Sequence, residues 1–190
     1  RRFVPGLEAQ ASPCPTRAGF GPKSGGHGVK LTRAKRRSPR FDRVGWERAN
    51  RLVDLFDPVP GPPRPGLATP KAIYAAGAND DGEGLRPRET VMPLVARLGL
   101  AINTEYGAGD EKTLVEQVIT QPGPTLISWQ HGGIPDIAKA FPSVTPKPPS
   151  DWPDDRFDIV WTFTRTADGW QFAQLPELVL PGDQDTVINN

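Results

Sequence analysis

One histidine in this chain stands where a strand gives way to a helix. The apolar run Thr125-Leu126-Ile127-Ser128-Trp129 leads into Gln130, His131, Gly132 and Gly133, and helical character follows from Ile134 to Phe141, with Pro135 in the first turn. An imidazole at that point can bind an anion or carry a proton, because the C-terminal edge of parallel strands is where α/β proteins take ligands. The paired glycines let the backbone come close to a ligand. The helix start behind them offers unpaired N–H groups and a partial positive charge, which suits phosphate. Taken blandly, the same turn is a histidine that closes a strand. Arg86, in Arg86-Pro87-Arg88-Glu89-Thr90, stands after another strand and a polar loop and just before a second helix. A guanidinium fork matches phosphate oxygens in pairs; on its own, Arg86 reads equally as a surface-loop arginine.

These residues need a frame. Trp46, Ala49, Val53 and Phe56 recur at helical spacing between Gly45 and Phe56, which predicts an amphipathic helix. A Pro/Gly loop over 58–70 separates it from a short buried strand, Lys71 to Ala76, and Gly77 to Gly84 is a polar loop. A second helix is expected from Glu89 to Leu98, stopped by Gly99. Leu100 to Asn103 is a further strand, and Asp110 is placed to cap a third helix over 111–120. Phe157 to Phe163 and Trp170 to Leu175 are strands joined by a hairpin turn at Asp168-Gly169. Strand and helix alternate, so the expected fold is α/β: a three-layer sandwich with a mainly parallel sheet and a C-terminal antiparallel hairpin.

Charge divides the chain. Residues 1–51 carry 13 of the 23 Lys and Arg but 3 of the 22 Asp and Glu, so a basic arm precedes an acidic domain. Residues 1–42 show no helical or strand period and are expected to be irregular, with the α/β domain over 43–190. Lys35-Arg36-Arg37 could touch nucleic acid, but no aromatic residues interleave as a stacking platform needs, so a solvated tail is the expected role. No run of about 18 apolar residues is present, so no membrane partner is expected. Cys14 is the single cysteine, so no disulfide can form within the chain. The chain does not begin with Met, and its pattern switches abruptly near residue 43; a lost or frame-shifted N-terminal part would produce that switch.

The order of these pieces resembles the histidine phosphatase (phosphoglycerate mutase-like) superfamily. Gly45-Trp46-Glu47-Arg48-Ala49 is similar to that family's G-x-x-R-A helix opening. Arg86-Pro87-Arg88-Glu89-Thr90 is similar to its R-x-x-E-T segment. Leu126 to Gly132 resembles the strand that carries its second catalytic histidine. Trp152-Pro153-Asp154-Asp155-Arg156-Phe157-Asp158 resembles a later segment of a subgroup with a W-E-H motif.

The resemblance implies phosphoryl transfer through a phosphohistidine, with no cofactor or metal. A neutral imidazole attacks phosphorus, and arginines and a second histidine offset charge on the equatorial oxygens. The implied phosphate-binding residues are Arg86, His131 and Gly132, and the implied catalytic residues are His131, Arg86 and His27. The implied partner is inorganic phosphate or a small phosphorylated molecule. Glu105 and Asp110 are candidates for the acid that protonates the leaving oxygen. Two departures stand out. Gln130 replaces the Glu expected before His131, and the family's R-H-G/A nucleophile motif is missing. His27, in Gly25-Gly26-His27-Gly28, is the other histidine of the chain but follows no apolar strand. An active phosphatase, a silent phosphate- or partner-binding pseudophosphatase and a nucleic-acid binder using the arm therefore all remain open.

Overall fold

The computed structural model describes residues 42–77 and 85–189. The basic arm, including Lys35-Arg36-Arg37, and most of the polar loop after Gly77 lie outside the described residues. The first helix, α1 (Arg43–Phe56), begins two residues earlier than the apolar spacing suggests, because the Asp42 carboxylate accepts the Gly45 N–H at 2.9 Å and caps it. It buries Ala49, Leu52 and Phe56; Leu52, rather than the expected Val53, completes the inner stripe.

The chain then forms β1 (Ala72–Ala75), α2 (Leu85–Leu98), β2 (Ile102–Asn103), α3 (Glu111–Val118), β3 (Thr125–Ser128) and α4 (Ile134–Ala140). Strands β2, β1 and β3 lie side by side in that order, all parallel, with Ile73 opposite both Ile102 and Leu126 and Ala75 opposite Ser128. Parallel neighbours require crossovers, which α2 and α3 supply. Side chains alternate along β1. Ile73 and Ala75 pack with Leu52, Phe56, Val91 and Leu94 of α1 and α2. Tyr74 and Ala76 pack with Leu114, Val115, Ile137 and Phe141 on the α3 and α4 side. The sheet is thus sandwiched between two helix pairs, giving the α/β three-layer arrangement.

The C-terminal hairpin is present: β5 (Ile159–Arg165) and β6 (Trp170–Pro176) run antiparallel with Arg165 opposite Trp170. It does not extend the parallel sheet. A two-residue strand, β4 (Val144–Thr145), pairs parallel to β6, so the hairpin belongs to a second, mixed sheet of order β4-β6-β5. Gly169 sits where they meet, at φ 143°. A Cβ there would lie 2.3 Å from the Ser143 carbonyl oxygen, which no other residue could tolerate. Phe141, just past α4, stacks on Phe163 and meets Trp170 edge-on, joining the sandwich to this second sheet.

Beyond β6 the sequence has no period, yet it is held tightly by charge. Arg48 of α1 donates to Glu177 at 2.7 Å and to Asp183 at 2.6 Å. Asp183 also accepts the Val179 and Leu180 N–H groups. Buried Arg156 pairs with Asp158 at 2.7 Å and donates to the Thr186 carbonyl, while Asp158 accepts the Gln184 N–H. Burial works against the Arg48 charge, but the Asp183 hydrogen bond and the Glu177 charge outweigh it and raise its pKa. Burial likewise opposes charge on Asp183 and Asp158. The Arg48 bond and two amides hold Asp183 below the usual carboxylate range, and the Gln184 amide and Arg156 do the same for Asp158.

Glu177 goes the other way. Burial pushes it up to about 7, because Asp183 already claims much of the single guanidinium. A carboxyl whose folded pKa exceeds its unfolded one binds more protons when folded, so its contribution to stability falls as pH rises from about 4.5 to about 7. The two depressed aspartates act oppositely: their contribution is present above about 3.8 and lost as pH falls below it. Glu177→Gln is therefore expected to flatten the decline between pH 5 and 8. At pH 8 it should gain on the order of 2–3 kcal/mol relative to the native chain. Urea unfolding across that range checks it; parallel curves for the two proteins would refute the assignment.

Candidate functional site

Adjacent parallel strands β1 and β3 end level with one another at Ala75 and Ser128. Each leads over the same edge of the sheet, β1 toward α2 and β3 toward His131. That edge is where the topology gathers the chemistry-bearing residues. His131 opens a single 3-10 turn, His131–Gly133, closed by the Gly133 N–H donating to the Gln130 carbonyl at 2.9 Å. Pro135 falls in the first turn of α4, where its missing N–H leaves nothing unpaired.

The His131 side chain is 45% exposed, and its Nε2 lies 2.9 Å from Asp154 Oδ1. The pair is a close polar contact; an ionised carboxylate only accepts, so a hydrogen bond there would require the proton on Nε2. The side chain of Gln130 makes no bond to the turn. The charged group in contact with the imidazole is instead Asp154, quoted above only as part of the Trp152 to Asp158 segment.

The two glycines differ. Around Gly132 a Cβ would meet nothing within 4 Å among the described residues, so their packing does not require glycine there. At Gly133 a Cβ would lie 2.7 Å from the Trp129 ring and 2.9 Å from Glu111 Oε1. Trp129 Nε1 donates to that same oxygen at 3.1 Å, and the other Glu111 oxygen accepts the Gly109 N–H at 3.0 Å. Glu111 therefore ties the start of α3 to the end of β3, directly under the histidine turn. Nothing in the local sequence marks it, since the contact spans 18 residues.

Arg86 does not precede the second helix, as expected; α2 starts at Leu85, so Arg86 is exposed within its first turn. The Thr90 hydroxyl donates to the Arg86 carbonyl at 2.9 Å. Glu89 of the same segment is buried.

Both acid candidates lie on the loop after β2, which reaches the same sheet edge. The Gly77 N–H, just past β1, donates to the Tyr106 carbonyl at 2.7 Å, and a Cβ at Gly77 would be 2.8 Å from the Thr104 oxygen. Glu105 is exposed, with its N–H bound to the Asn103 side chain at 2.9 Å. Asp110 precedes α3 but makes no cap bond to it; its carboxylate accepts the Gly107 N–H at 3.0 Å and fastens the loop instead. Burial and the Glu105 charge raise the Tyr106 pKa, so its phenol stays protonated at neutral pH.

His27 lies outside the described residues. Among the described residues His131 is the only histidine, no cluster of three or more His, Cys, Asp or Glu could hold a metal, and no helix is long and apolar enough to cross a membrane. No protein-family model matches the chain, and no curated protein does either.

Proposed function

We propose that the α/β domain is a phosphate-binding domain of the histidine phosphatase kind, in which His131 and Arg86 take the oxygens of inorganic phosphate or a phosphomonoester. The observation that carries this reading is the sheet: two adjacent parallel strands end in register, one followed by a half-exposed imidazole, the other by a helix whose first turn holds a guanidinium. Imidazole and guanidinium donors at the C-terminal edge of a parallel sheet are a suitable pair for a tetrahedral anion. Hydrolysis through a phosphohistidine needs a second imidazole. With one histidine in the described site, binding is the better supported half of the activity.

Titration of the full chain with phosphate and with vanadate tests this. His131→Ala and Arg86→Ala should each weaken binding by roughly tenfold or more, the size expected for losing a charge-assisted hydrogen bond. Hydrolysis of an aryl phosphate, if observed, should vanish with either His27→Ala or His131→Ala. Anion binding indifferent to both site substitutions would reject the proposal.

A further inference from the structure

Building on that reading, we infer that Asp154 is a built-in competitor for the anion at His131, its carboxylate standing beside the imidazole until phosphate displaces it. The contact is direct: Asp154 Oδ1 sits 2.9 Å from Nε2, the nitrogen that would serve a phosphate oxygen. A carboxylate and a phosphate oxygen cannot both take that place beside the ring nitrogen, and, both being negative, they repel one another there.

The mount of Asp154 suits this role. Trp152 and Arg156 are buried on either side of it, and Trp152 Nε1 donates to the Arg156 carbonyl at 2.9 Å. The Arg156 N–H donates to the Pro153 carbonyl at 3.1 Å, closing a turn with Asp154 and Asp155 at its tip. Arg156 is anchored in turn by Asp158 and the Thr186 carbonyl. The backbone of the turn is therefore pinned, while the Asp154 side chain is 93% exposed and free to rotate into water once released. A group that held His131 for purely structural reasons would be expected to be buried with it. This one is placed to let go.

The competitor should be weak, as exposed ion pairs are, so removing it should tighten anion binding by about two- to fivefold. The experiment is phosphate titration of the full chain at low and high salt, with Asp154→Asn, Asp155→Asn, His131→Ala and the Asp154→Asn/His131→Ala double variant. The expected result is tighter binding for Asp154→Asn at low salt, a gain that shrinks at high salt and disappears in the His131→Ala background. Asp155→Asn controls for the general loss of one charge from the turn and should give a clearly smaller gain. Weaker or unchanged binding in Asp154→Asn, or an equal gain in Asp155→Asn, overturns the inference while His131-dependent binding in the native chain leaves the phosphate reading intact. No binding by any of the proteins sinks both.

Discussion

Replacing Arg48 with methionine is expected to lower folding stability by about 3–5 kcal/mol, the range for stripping the partner from a buried ion pair. Arg48 is the shared counter-charge of Glu177 and Asp183, whose side chains are 8% and 4% exposed. Methionine keeps most of the apolar stem, so the loss measures charge rather than packing. It should depend on pH in a defined sense. Glu177, held up at about 7 by burial, can take a proton near pH 5 and relieve part of the deficit. Asp183 is held below the usual carboxylate range by the Arg48 bond and two amides, and keeps its charge there. The deficit should therefore be larger at pH 8 than at pH 5. Urea unfolding at both values is the measurement. A loss under about 1 kcal/mol at pH 8 would mean that water reaches the cluster. Adding Glu177→Gln and Asp183→Asn to Arg48→Met should restore much of the stability, because the orphaned charges go with their partner.

Phe141→Ala should cost a similar amount, about 3–5 kcal/mol, for a different reason. The Phe141 ring lies 4.3 Å from Phe163 in a nearly parallel stack and 5.0 Å from Trp170 edge-on. It is buried among residues of α3 and α4 on one side and of the second sheet on the other. Truncation opens a cavity between two rigid layers that cannot close over it. Phe141→Leu fills most of the volume and should be far milder. For a domain of this size, the alanine variant should melt roughly 10 °C lower. Melting with little change would show that the two sheets hold together without this ring. Because Phe141 directly follows α4, and α4 follows the His131 turn, the same variant should also weaken the proposed phosphate binding more than its distance from the imidazole suggests.

What could be read in the residues and what could not divides along lines of locality. The helical period of Ala49 and Phe56, the apolar run ending at Ser128 and the hairpin at Gly169 are local patterns, and each element stands within two or three residues of its expected bounds. Asp110 illustrates the limit of a local rule: an aspartate before a helix reads as a cap, but Gly107 offers its N–H first. The second helix starts four residues before the expected Glu89, at Leu85, because Leu85, Pro87 and the residues around them do not show where the turn of a loop becomes the turn of a helix. Strand β4 was invisible, since two residues carry no period and its partner lies in β6. The contacts of Asp154 and Glu111 are illegible in the sequence for the same reason. Each acts on a residue distant in sequence, His131 and Trp129 respectively, and a carboxylate on a loop looks alike whether or not something waits for it across the fold.

The Arg48 guanidinium meets the Asp183 carboxylate across a separation of 135 residues. Contacts so far apart along a polymer form late, after many shorter loops have closed. During synthesis the first helix must leave the ribosome long before its counter-ions are made. A nascent chain halted short of Asp183 would expose an uncompensated cation on α1, together with the loose ends of β6. Such a stalled product is the form of this molecule that chaperones and proteases should recognise first.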